Sequence, residues 1–161
     1  MQDKGEKLYR RSLYTYVKRT SPHPSLSAFD APNREMCITE RGVTNTPLQS
    51  LVTLNDPQFA EAARVFAAEL LEETRGMDDQ ARLRAAFEKV TSRLPRDTEL
   101  NSLTSFLTDE RARYEADETA SLGVVSVGEW PRDESLDPSL QAAWTQVAAL
   151  LFNLSETLTR F

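Results

Sequence analysis

Apolar residues recur along most of the chain at the three- and four-residue spacing of amphipathic helices, a period that predicts an all-α fold. The clearest run is Phe59, Ala62, Ala63, Phe66, Ala67 and Leu70, one helical stripe behind an Asp56-Pro57 start. Asp56 has the side chain of an N-cap, Pro57 suits the first helical position because its missing N–H would be unpaired there anyway, and Gly76 supplies a left-handed stop. Thr46-Pro47 followed by Gln49 predicts a capping box and a short helix over 47–54. Leu83, Ala86, Phe87, Val90 and Leu94 predict a helix over 78–93 that Pro95 closes. A further helix opens at Asp97-Thr98-Glu99, carries Leu100, Leu103, Phe106, Leu107 and Tyr114, and ends in a charged, solvated stretch past Asp109. The last predicted helix covers 137–159. Leu140, Trp144, Val147 and Leu151 mark one of its faces, but Ala142, Ala149, Leu150 and Phe152 mark the other, as expected of a central helix. Asn153 would then need a polar partner inside the bundle.

Three stretches are less regular. Tyr9, Leu13, Tyr16 and Val17 keep helical spacing and predict a first helix over 4–19, with Arg10, Arg11, Lys18 and Arg19 mostly off the stripe. Over 20–46 the period lapses, and the prolines at 22, 24 and 32 favour extended backbone before them. Long loops in compact domains are usually functional or disordered, and Leu26, Phe29, Met36, Ile38 and Val43 are available to anchor this one as an ordered layer. Over 120–136, the run Leu122-Gly123-Val124-Val125-Ser126-Val127-Gly128 is β-branched, yet one strand without a partner is marginal. An extended connector pinned by Trp130-Pro131 is expected there. The expectation is an irregular bundle of about five or six helices in a single domain over 1–161, with a long ordered loop near its start.

Composition narrows the function classes. At 161 residues, 40% apolar and 27% charged with five glycines, the chain has the make-up of an ordinary globular protein. No apolar run approaches the roughly 20 residues of a membrane span, and residues 1–7 lack the apolar core of a signal peptide. That suits either a cytoplasmic protein or a piece of a longer exported chain with its signal upstream. Net charge is −6; residues 1–60 carry a balance of +2, which leaves −8 on the remainder. Such a distribution argues against a nucleic-acid binder, which needs a broad cationic face. Cys37 is the single cysteine and His23 the single histidine, so neither an intramolecular disulfide nor a Cys/His zinc cage can form. No cofactor is predicted.

Candidate functional residues gather in 29–57: Asp30, Arg34, Cys37, Arg41, Asn45, Gln49 and Asn55. A metal site from His23, Cys37, Asp30 and Glu40 has suitable residue types but no ligand spacing. A Cys37/His23 nucleophile pair has no local signature, and a lone cysteine is more often a small buried apolar residue. Asp30 with Glu35 or Glu40 would serve glycoside cleavage if held about 5–9 Å apart. Arg34 and Arg41 nearby give the plainer reading of ion pairs that hold an irregular loop in one conformation. Asn45, Gln49 and Asn55 could meet a sugar or a partner's backbone, but caps and loop hydrogen bonds employ the same groups. These residues are therefore expected to organise the loop or an interaction surface, with no catalytic or metal role.

Several segments together resemble a known family. They are 10–16 (Arg-Arg-Ser-Leu-Tyr-Thr-Tyr), Phe29-Asp30-Ala31-Pro32, Arg34, Cys37, Arg41, 44–51 (Thr-Asn-Thr-Pro-Leu-Gln-Ser-Leu), 54–59 (Leu-Asn-Asp-Pro-Gln-Phe) and the closing helix from Ala143-Trp144 to Arg160. They are similar to the planctomycete-specific C-terminal domain of unknown function, of which this chain corresponds to the later part. The resemblance implies a place behind a cytochrome c module in large exported proteins, hence a periplasmic or exported location, a neighbouring cytochrome c-type domain or other protein as partner, and no known activity. The reading that follows is a non-catalytic interaction or scaffolding module. The alternative is a carbohydrate-binding or polysaccharide-processing domain that uses the Asp30/Glu40 loop.

Overall fold

Asp56, Asp78, Asp117 and Asp137 each accept a hydrogen bond from a backbone N–H two or three residues on, at 2.7–2.9 Å. They thereby open α3 (Pro57–Glu73), α4 (Asp79–Thr91), α6 (Glu118–Val125) and α7 (Pro138–Phe152). The other α-helices are α1 (Pro24–Ala28), α2 (Pro47–Asn55), α5 (Asp97–Ala116) and α8 (Ser155–Leu158). This computed structural model describes residues 5–9, 12–18, 20–32, 35–40 and 42–158. Among them are six helices of eight residues or more and no strand, only an isolated bridge between Lys18 and Ser21. The fold is all-α.

Helix α7 is the spine. Gln141, Ala142, Ala143, Trp144 and Thr145 are all buried, and five consecutive positions cover more than one 3.6-residue turn, so protein surrounds this part of the helix on every side, while Leu150 near its end is exposed. Helices α3, α4, α5 and α6 pack around it. Their apolar stripes supply Leu70, Leu83, Phe87, Leu103, Leu107, Tyr114 and Val125, which share one core with Trp144, Val147 and Leu151. Burying a side chain of this size contributes roughly 1.5–3 kcal/mol. Asn153, expected only to need some polar partner, accepts at Oδ1 from the Thr53 hydroxyl at 3.0 Å, which ties α2 to the end of the spine.

Three segments differ from expectation. No α-helix forms within the described part of 4–19; 3₁₀ turns cover Gly5–Tyr9 and Ser12–Tyr14 instead. Tyr9, Leu13 and Tyr16 stay exposed, and a short helix with no core to bury its stripe has little to offset the cost of nucleation. The connector expected over 120–136 is helical as far as Val125. Asp117 caps that helix, and burial of Ser121 and Val125 as it packs on α7 overrides its β-branched preference. The last helix ends at Phe152, and a short turn at Asn153-Leu154 precedes α8. Thr159, expected to close that helix, lies outside the described residues, as do Arg10, Arg11 and Arg19.

Candidate interaction face

The 29–57 layer is organised by one carboxylate and one amide. Asp30 has a positive φ of 56°, a conformation that aspartate tolerates better than most residues, and its carboxylate accepts from Thr44 twice: from the backbone N–H at 2.8 Å and from the hydroxyl at 2.8 Å. Gln49 lies behind this clasp. Its Nε2 donates to Ala28 O at 2.9 Å and to Thr44 Oγ1 at 3.2 Å, while its Oε1 accepts from the Thr46 N–H at 3.3 Å. The expected helix-start bond from Gln49 is therefore present, and the same side chain also fastens the loop to α1. Asp30 and Gln49 thus meet through Thr44, which belongs to the 44–51 segment but is not among the candidate site residues. The bonds to Thr44 engage the carboxylate on which the carbohydrate reading depends.

The remaining candidates are more dispersed. Asn55 is exposed and its Nδ2 donates to Leu51 O at 2.8 Å within its own helix. Asn45 is exposed. Cys37 is exposed as well, against the expectation of a small buried residue; the loop around it lacks the apolar cover that a core cysteine needs. Arg34 and Arg41 lie outside the described residues, and with them the expected ion pairs. Among the described residues, no group of three or more His, Cys, Asp or Glu is placed to hold a metal ion.

Helix α2 is built inside out. Its buried residues are polar, Gln49 and Thr53, while Leu48, Leu51 and Leu54 are 57%, 56% and 49% exposed. The loop before it behaves similarly. Met36, Ile38 and Val43 were expected to anchor that loop, but they too face solvent, and its anchors are the Asp30 clasp and a contact between the Phe29 and Phe59 rings, 6.2 Å between centroids. Ten of the fifteen exposed large hydrophobic residues, among those described, fall between Tyr9 and Leu54. That same stretch supplies only Ala28 to the buried apolar core.

The family model PSD1, protein of unknown function (DUF1553), matches residues 1–107. The chain belongs to the DUF1553 family. No curated protein and no solved structure matches it. In this DUF1553 chain the matched span contains the whole apolar stretch, the Asp30 clasp and α2, and it ends within α5.

A second polar cluster lies where the 127–131 loop crosses α3. Glu61 and Arg64 are both buried. Arg64 Nε donates to Val127 O at 3.0 Å and its Nη2 to Trp130 O at 2.6 Å, while Glu61 Oε1 stands 3.8 Å away. Glu61 also accepts from the Tyr9 hydroxyl at 2.9 Å and from the Trp130 backbone N–H. Burial lowers the pKa of Arg64, with Glu61 opposing the shift; at half-exposed Tyr9, burial and then the Glu61 hydrogen bond raise it. Gly128 is required here, since its φ is +96° and a Cβ would lie 2.3 Å from Glu61 Cδ. Trp130 does pin this loop, but through its backbone: its ring is exposed and meets Tyr9 edge-on at 5.9 Å. Beside the cluster opens a cleft of about 500 Å³ lined by Arg64, Glu69, Glu72, Glu73, Trp130 and Asp133. Glu72 is paired with Arg75 and Glu73 with Lys89.

Proposed function

We propose that this chain is a non-catalytic helical interaction module whose apolar layer, α2 and the loop before it, docks onto a neighbouring protein domain. One observation carries the reading: the stretch from Tyr9 to Leu54 holds most of the exposed large apolar side chains while contributing almost nothing to the core. On α2 the exposed Leu48, Leu51 and Leu54 recur at three-residue spacing, an apolar helix side of the kind protein interfaces cover, and α2 carries no charged residue to oppose burial. Residues 1–60 carry a balance of +2 on a chain of net charge −6, which adds a mild preference for an acidic rim on the partner. The partner in this proposal is a cytochrome c-type domain in an exported planctomycete protein, a setting that rests on the motif resemblance described for the sequence.

The test is calorimetric titration of the chain with an isolated cytochrome c-type domain from an exported planctomycete protein. Each leucine on α2 is about half exposed, and burying that half is worth about 1 kcal/mol. A Leu48→Ser, Leu51→Ser, Leu54→Ser triple variant is therefore expected to lose about 3 kcal/mol, roughly a hundredfold in Kd, with helix content unchanged. Equal affinity in the triple variant would refute the assignment, as would the lack of any binding by the unaltered chain.

A further inference from the structure

Four of the five buried side-chain nitrogen and oxygen atoms without a protein hydrogen-bond partner, among the described residues, belong to Gln141, Trp144 and Arg111. Gln141 is fully buried and both of its amide atoms are unpartnered; Trp144, one turn further along α7 and 1% exposed, has an unpartnered indole Nε1. Positions three apart on a helix are neighbours on its surface, which puts Gln141 beside Trp144 on α7. The Arg82 guanidinium lies over the Trp144 ring at 5.3 Å and donates through Nε to Thr74 Oγ1 at 2.7 Å. Asp79 stands 3.4 Å from Arg82 and accepts from Arg111 at 2.6 and 2.8 Å; Arg111 Nε is the fourth unpartnered atom.

Buried polar groups in folded proteins are nearly always satisfied, and a buried amide and indole left dry would each cost a desolvation penalty with nothing to offset it. We propose that water molecules held inside the bundle bridge the Gln141 amide and the Trp144 indole to the Arg82–Asp79–Arg111 cluster. The atoms select the ligand. Trp144 Nε1, Arg111 Nε and Gln141 Nε2 are donors, but Gln141 Oε1 is an acceptor and Asp79 carries negative charge nearby, so a bound anion would meet repulsion where water, donor and acceptor at once, fits all four. Internal waters typically make about three such bonds.

A crystal structure that resolves ordered water is expected to show water within hydrogen-bond distance of Gln141 and of Trp144 Nε1. Direct protein partners for both groups, or neither partner nor water, would overturn the proposal. Solution tests use Trp130→Phe, which leaves Trp144 as the single tryptophan. Its emission is expected to move to the blue on Gln141→Leu, or on Gln141→Met if the leucine variant does not fold, as the indole loses its hydrogen-bonded solvent. The urea midpoint is expected to fall in the same variant. An unchanged spectrum, or a raised midpoint as a dry amide would give when removed, would overturn it.

Discussion

Replacing Arg64 with alanine tests how the 127–131 loop is held to α3. Arg64 is 2% exposed and is the donor for two backbone carbonyls, Val127 O and Trp130 O. Hydrogen bonds from a charged group contribute roughly 1.5–3 kcal/mol each. Glu61 would lose its buried counter-charge as well, though at 3.8 Å and without a hydrogen bond that pairing is the weaker part. One guanidinium makes all three contacts, so the terms do not add in full, and we take about 4 kcal/mol, within the range for breaking one side of a buried pair. For a chain of this size that lowers Tm by about 8–16 °C. Arg64→Met retains the packing of the stem and is expected to fall between Arg64→Ala and the unaltered chain. Arg75→Ala is the control: its pair with Glu72 is mostly exposed, and its loss is expected to stay within about 0.5 kcal/mol. Thermal and urea unfolding followed by far-UV circular dichroism measures all three. If Arg64→Ala is no less stable than Arg75→Ala, the loop is not held by this network.

Other elements give smaller, separable effects. A double-mutant cycle on Thr53→Val and Asn153→Ala is expected to show a coupling of about 0.5–1 kcal/mol in urea unfolding, since the hydroxyl divides itself between Asn153 and the Gln49 and Ser50 carbonyls; zero coupling would remove the link between α2 and the end of α7. Asp30→Ala is expected to speed hydrogen exchange at the Thr44 amide about tenfold, and Asp30→Asn by less because it keeps one carboxamide oxygen as acceptor. Glu99 is held down to about 2, from an ordinary value of 4.5, by hydrogen bonds from the Arg93 side chain and the Arg96 backbone. Its contribution is therefore complete above that ordinary value and disappears as pH falls toward 2, so the difference in urea midpoint between the unaltered chain and Glu99→Gln should be constant near neutrality and close on acidification. A difference independent of pH would contradict the Arg93–Glu99 pairing.

Helices α2, α3, α4, α5 and α7 were legible in the sequence because local signals and tertiary packing agree. Asp56, Asp78 and Asp137 start helices where their spacing predicted, and α7 carries apolar residues on more than one face because helices pack around most of it. Legibility failed where packing decides against the local pattern. Residues 118–125 look β-branched but fold as a helix on α7, and the stripe of Tyr9, Leu13 and Tyr16 finds no core to cover it. Within the candidate layer, Gln49 was identifiable from its capping position, but its bond to Ala28 across 21 residues was not, and neither was the pairing of Asp30 with Thr44. The inside-out character of α2 is hidden for a simple reason: Leu48, Leu51 and Leu54 at helical spacing look like a buried stripe, and only the neighbouring elements show that Gln49 and Thr53 take the inner face.

The most direct test of the docking assignment is hydrogen exchange across the whole chain with and without an isolated cytochrome c-type domain of the kind proposed as its partner. Slowed exchange concentrated in the backbone of residues 36–54 is the expected result. Unchanged exchange there, or protection confined to α3 and residues 130–133 beside the cleft, would contradict it.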